Sequence, residues 1–116
     1  EAYQMFMSEN GLGPLAFPSL AAMEQEVIAM AAGLLHGGEA AKGAITSGGT
    51  DSITMAMKAA RDFARAKDKV SGAPNIVLAL AAQLAFDKAA QLMDIEVRRI
   101  PLRTDGSFKA DVEAMA

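Results

Sequence analysis

The sequence has no cysteine and no tryptophan, one histidine, one tyrosine and only 5% aromatic residues. Without cysteine there are no disulfides, no thiolate-ligated metal and no thiol nucleophile. The chain fits a reducing compartment, and the cytoplasm is the expected location. With His36 alone no histidine cluster can form, and Asp62 and Asp87 lack His or Cys partners at ligand spacing, so no metal site is expected. No Ser, Cys or acid stands at a spacing from His36 that defines a catalytic triad. Long apolar runs are missing too. The longest, Ile76 to Ala82, falls far below the roughly 20 residues of a membrane helix, and no basic-then-apolar signal opens the chain. No charge sign dominates: 11 Lys+Arg stand against 14 Asp+Glu, for a formal charge of -3. Phosphate backbones demand a concentrated basic field, so no nucleic-acid partner is expected.

What the chain does have is alanine, eight methionines and a hydrophobic share of 52%. Its 116 residues suit one domain, and such a length buries roughly two thirds of its unfolded surface if every element of the core is present. Alanine has the best helix propensity but buries little area. Alanine-rich helices therefore gain stability by close approach to a larger surface.

The punctuation Asn10-Gly11-Leu12-Gly13-Pro14 and Phe17-Pro18 predicts an extended arm over residues 1–18, with little regular structure before residue 18. Met23, Val27, Met30 and Leu34 then recur at i, i+4, i+7 and i+11. This predicts a helix over 19–36 that buries one apolar stripe and stops at Gly37-Gly38. Gly43-Ala44-Ile45-Thr46 reads as a short strand or extended segment. A helix over about 50–67 follows, with Ile53, Ala56, Met57, Ala60, Phe63 and Ala64 on one face. After the loop Ser71-Gly72-Ala73-Pro74, the run from Asn75 to Ala82 reads as a strand buried on both faces. Phe86, Ala89, Ala90 and Met93 predict a helix over 84–93, and Ile95 to Ile100 a further strand. Strands alternating with helices imply parallel pairing through crossovers, hence an α/β fold with a partial parallel sheet and flanking helices. Asp105-Gly106 makes a turn, and Lys109 to Ala116 reads as another helix without a stop signal. Residues 19–116 therefore read as a partial α/β domain, and the chain as a piece of a longer one.

The chemistry concentrates in Thr46-Ser47-Gly48-Gly49-Thr50-Asp51-Ser52, which leads straight into a helix. Two glycines allow close backbone approach, helix-start N–H groups point outward, and hydroxyls add donors. Together they make a cradle for a phosphate. The same residues also suit a plain loop with an N-cap. The pattern is neither the Gly-x-Gly-x-x-Gly dinucleotide fingerprint nor a P-loop.

Four blocks carry a resemblance: Phe17-Pro18-Ser19-Leu20 with Met23-Glu24; Thr46 to Ile53 with Ala56-Met57-Lys58-Ala59; Ala85-Phe86-Asp87-Lys88-Ala89-Ala90; and Val97-Arg98-Arg99-Ile100-Pro101-Leu102. In this order they resemble the pyridoxal-phosphate-dependent group II decarboxylase family, and within it the sphingosine-1-phosphate lyase branch. The resemblance implies the opening part of a large cofactor-binding domain of aspartate-aminotransferase-like fold (fold type I), with Ser47, Gly48, Gly49 and Thr50 holding the phosphate of pyridoxal phosphate. Asn10 would lie in an arm reaching toward the active site. Gln83 stands where the family carries a histidine stacked on the cofactor ring, and an amide supplies neither aromatic stacking nor a proton near neutral pKa.

The family's Schiff-base lysine and pyridine-nitrogen acid lie downstream of these blocks, so no catalytic residue is assigned here. Lys58, Lys67 and Lys88 read as solvated. The implied substrate is a small amine or phosphorylated amine. A homo-oligomer is implied by the family's dimers and by exposed Ala and Met faces. Two other readings stay open: a non-catalytic phosphate-binding α/β module, and a structural remnant that folds by oligomerising.

Overall fold

The computed structural model describes residues 1–8, 13, 15–67 and 72–116. Asn10 and Ser71 lie outside them. Residues 1–45 form one compact unit and residues 46–116 another.

In the first unit a short helix, α1 (Ala2–Met5), stands where the sequence predicts no regular structure. Helix α2 (Pro18–Leu34) opens with Pro18 at its first position, where the missing N–H breaks no helical bond. It ends two residues earlier than the glycine pair suggests, because His36 itself takes the left-handed conformation at φ 56°. The Gly37 N–H then bonds the Ala32 carbonyl at 2.8 Å and the His36 N–H bonds Gly33 at 3.2 Å. This is the Schellman closure, with histidine in the position glycine usually fills.

The apolar stripe predicted to be buried on α2 is not. Met23, Val27, Met30 and Leu34 are 45, 51, 64 and 81% exposed. The half-buried positions are instead Ala21, Glu24, Ile28 and Ala32. That face meets the chain returning beneath it: a methyl added at Gly43 would lie 3.3 Å from Ile28. The returning segment thus packs on the face of Ala21, Glu24, Ile28 and Ala32 and leaves the methionine stripe outside.

In the second unit α3 (Gly49–Ala66), β1 (Asn75–Ala79), α4 (Ala85–Leu92) and β2 (Glu96–Ile100) follow in order. Residues 43–46 are extended without strand pairing. β1 and β2 pair in parallel from Asn75 opposite Glu96 to Ala79 opposite Ile100, with α4 as the crossover. Met57, Ala89 and Ala90 form the buried cluster, and Ile53, Ile76, Phe86, Met93, Ile95 and Val97 pack around it. Ala89 is fully buried, so α4 sits close against its neighbours at a point where any larger side chain would push it away. On α3 the inward face is Ile53, Met57, Arg61 and Ala64. Phe63, expected on the packed face, is 60% exposed, with the Lys67 ammonium 5.9 Å from its ring.

β1 is not buried on both faces. Leu78 is buried, but Val77 is exposed on the opposite side, and the strand stops at Ala79. Helix α4 ends, like α2, without glycine: Asp94 is left-handed at φ 52°, and the Ile95 N–H bonds the Ala90 carbonyl at 2.9 Å. The helix expected over 109–116 is absent. Lys109 gives its carbonyl to the Arg103 N–H at 2.9 Å, Ala110 bridges Leu102 antiparallel, and only a 3-10 turn, Glu113–Met115, follows. The turn at Asp105-Gly106 folds this segment back, and the Asp105 carboxylate accepts from the Ser107 N–H and hydroxyl at 3.0 and 2.6 Å. No helix among the described residues is long and apolar enough to cross a membrane.

Candidate functional site

The site begins where an extended segment enters α3. The Glu24 carboxylate of α2 accepts the Ile45 N–H at 3.0 Å, pinning the segment just ahead of the turn. The Thr46 hydroxyl reaches the Gly48 carbonyl at 3.1 Å and shares a hydrogen bond with the Ser52 hydroxyl at 2.5 Å. Asp51, in the first turn of α3, accepts both the Ser47 N–H at 3.1 Å and the Ser47 hydroxyl at 3.2 Å. An acid in the first helical turn reaching back to a preceding N–H is the logic of the capping box. It fixes the turn without any ligand.

Gly48 precedes the helix in extended backbone (φ 162°, ψ 178°), and Gly49 is the first helical residue. Neither conformation requires glycine. A methyl built on either residue meets nothing within 4 Å. The N–H bonding of α3 begins with Ser52, which donates to the Gly48 carbonyl at 2.9 Å. The N–H groups of Gly49, Thr50 and Asp51 thus have no acceptor among the described residues, and neither has the Thr50 hydroxyl. These donors stand in the first turn, at the positive end, of an 18-residue helix, and a side-chain methyl added at Gly48 or Gly49 would meet only open space. That is the arrangement a phosphate fits. Of the four residues read as phosphate-binding, Gly48, Gly49 and Thr50 border this opening. Ser47 gives both its N–H and its hydroxyl to Asp51 in this structure.

Gln83 sits in the connection between β1 and α4. It is exposed, and its carbonyl accepts the Phe86 N–H at 3.1 Å. This places it at the C-terminal end of the parallel strands, the side on which open α/β sheets bind ligands. No hydrogen bond joins Gln83 to residues 47–50; they belong to separate connections, one leading into α3 and one into α4. His36 is exposed at the end of α2. Lys58 is exposed and ion-paired with Asp62 at 2.6 Å.

Two groups were not singled out from sequence. Asp51 stands three residues after the N-cap Gly48, the spacing of a capping-box acid, and reaches Ser47 one residue before the cap. Arg99 interrupts the inward parity set by Val97 in β2. It donates to the Ala79 and Leu80 carbonyls at 2.9 and 3.3 Å and pairs with Asp87. Away from the site, the Lys58 hydrogen bond, helped by Arg61, holds the Asp62 carboxyl below its ordinary value. The Ser107 hydroxyl and N–H do the same for Asp105.

A parallel β1-α4-β2 unit, preceded by a helix α3 that opens on a glycine turn, is an arrangement shared with the pyridoxal-phosphate-dependent fold type I enzymes. The chain superposes on sphingosine-1-phosphate lyase from Burkholderia pseudomallei with a TM-score of 0.83 at 34% identity, over 97% of this chain and 27% of that one. It is 42% identical over 118 residues to the sphingosine-1-phosphate lyase of Oryza sativa, covering 97% of this chain and 21% of the relative. It is 38% identical over 128 residues to a probable L-tyrosine/L-aspartate decarboxylase of Methanosarcina acetivorans, covering 99% of this chain and 32% of the relative. No protein-family model matches. The chain is thus homologous over nearly its whole length to sphingosine-1-phosphate lyases and group II decarboxylases, and it spans about a fifth of the length of the lyases it matches.

Proposed function

We propose that this chain supplies the phosphate-binding turn of a pyridoxal-phosphate-dependent carbon-carbon lyase or decarboxylase. The observation that carries the reading is the open cradle at Gly48, Gly49 and Thr50, with helix-start donors left without acceptors and no side chain filling the space. The Gly49 and Thr50 N–H groups and the Thr50 hydroxyl hold the phosphate, and Ser47 and Asp51 keep the turn in shape. Gln83 would offer the cofactor an amide hydrogen bond, without the proton a histidine offers near neutral pH. Pyridoxal phosphate, when bound, acts as an electron sink for bond cleavage at the α-carbon of an amine substrate. Residues 1–116 provide binding and orientation. Among their lysines none is assigned to the covalent step, so the chain alone binds rather than catalyses.

The whole protein would act on an amine or phosphorylated amine, in the cytoplasm, as a homodimer. The exposed stripe of Met23, Val27, Met30 and Leu34 supports self-association. Gln83 favours a second reading, a phosphate-binding module without lyase activity.

Calorimetric titration with pyridoxal phosphate, pyridoxal and inorganic phosphate tests the cradle. Pyridoxal phosphate is expected to bind about tenfold or more tightly than pyridoxal, since a charge-assisted hydrogen bond contributes about 1.5 kcal/mol or more. Inorganic phosphate is expected to compete with it. Equal binding of pyridoxal and its phosphate would refute the proposal.

A further inference from the structure

On strand β2 the two neighbouring arginines behave differently. Arg98 is well exposed and pairs with Glu96 at 3.2 Å, an ordinary solvated contact. Arg99 stands opposite Leu78 in the parallel register, and its side chain is only 26% exposed. Leu78 is buried, and Val97, two residues before Arg99, packs on the core cluster. An apolar residue would satisfy Arg99's position by packing alone. A guanidinium there carries a desolvation penalty unless its donors are used, and they are used at three points. One nitrogen reaches the Ala79 carbonyl at 2.9 Å and the Leu80 carbonyl at 3.3 Å, where β1 ends; another meets the carboxylate of Asp87, in the first turn of α4. Between these anchor points lie only Ala81 to Phe86, and Gln83 is among them. The planar fork suits several acceptors held at fixed angles, which a lysine cannot match.

Resting on the cofactor reading above, we infer that Arg99 is a positioning residue: its guanidinium locks the end of β1 to the start of α4 and so fixes how the connection presents Gln83 to the cofactor ring. Asp87 is the second half of the lock. Besides Arg99, the connection is held by the Leu80 N–H on Ile100, the Ala82 N–H on Ala79 and the Phe86 N–H on Gln83, at 2.8, 2.9 and 3.1 Å. These bonds stay short and ordered only while both ends keep their separation.

The test combines amide hydrogen exchange with cofactor titration on the 116-residue chain, using Arg99→Met, Arg99→Lys, Asp87→Asn and the cradle variant Gly49→Ala. Arg99→Met keeps side-chain volume among apolar neighbours. It is expected to raise exchange at Ala82 and Phe86 about tenfold or more while Ala89 and Ala90 stay protected, and to weaken pyridoxal phosphate several-fold. Asp87→Asn should give part of both effects, and Arg99→Lys should restore part of the protection. Gly49→Ala should lose binding with exchange unchanged in the 81–86 connection. Unchanged exchange there in Arg99→Met, or raised exchange with unaltered cofactor affinity, would overturn the inference. A global rise in exchange in Arg99→Met together with wild-type behaviour in Asp87→Asn would overturn it as well. A wild-type chain that binds neither pyridoxal phosphate nor phosphate sinks the cofactor reading by itself, and the exchange pattern then decides whether the lock exists.

Discussion

Replacing Gly48 or Gly49 by alanine separates a ligand-binding glycine from one the backbone needs. Gly48 is extended and Gly49 helical, and an added methyl at either meets no protein atom within 4 Å. The fold therefore tolerates both substitutions. Alanine at Gly49 should stabilise the first turn of α3 by up to about 1 kcal/mol. At Gly48 the gain from a stiffer unfolded chain, about 0.4–1 kcal/mol, is offset by alanine's poor fit at an N-cap, and the net change should be close to zero. Binding should move the other way. On the proposed reading the methyl would occupy the space by which a phosphate oxygen reaches the Gly49 and Thr50 N–H groups, and each charge-assisted hydrogen bond lost would cost about 1.5–3 kcal/mol, or roughly 10- to 100-fold in affinity. Thermal melts by circular dichroism and titration with pyridoxal phosphate read the two effects on the same samples. Variants that melt at or above the wild-type temperature but bind at least tenfold more weakly support the cradle. Wild-type affinity in both variants would refute the ligand role, and marked loss of folding in either would refute the claim that the space is free.

Three further outcomes are expected. Ala89→Leu forces a larger side chain into a fully buried site and should cost about 1–3 kcal/mol in chemical denaturation, whereas Ala60→Leu, on an exposed stretch of α3, should cost little. His36→Gly removes a non-glycine residue from φ 56° and should raise stability by about 1 kcal/mol, seen as a melting-temperature increase of a few degrees; no increase would mean that the histidine ring makes compensating contacts. The Lys58 and Arg61 partners of Asp62 lower its folded pKa below the ordinary 3.8, so the stability it adds is present above that value and lost as pH falls through the lowered one. Melts in acid should show a shallower decline for Asp62→Asn than for wild type, and parallel declines would exclude the linkage.

Where local pattern and tertiary contact agree, the sequence reads well. Phe86, Ala89, Ala90 and Met93 predict α4 and its buried face, and both parallel strands fall within the expected segments. It reads poorly where the outcome depends on what a face happens to meet. The stripe of Met23, Val27, Met30 and Leu34 has regular helical spacing, yet the segment returning at Gly43 packs on the face carrying Ile28 instead. Lys109 to Ala116 has helical composition, but a turn at Asp105 diverts its backbone bonds into a bridge before a helix can nucleate.

The sequence by itself determined the α/β order and the helix-start glycine turn, because periodicity, capping and glycine placement are local and survive in any context; its resemblance to pyridoxal-phosphate enzymes is carried by four ordered sequence blocks. Only the tertiary structure decided that Asp51 already braces the cradle, that Gly48 and Gly49 face open space, and that Arg99 joins β1 to α4. Each of these depends on where a side chain ends relative to backbone groups up to 20 residues away, and spacing along the chain does not encode that distance.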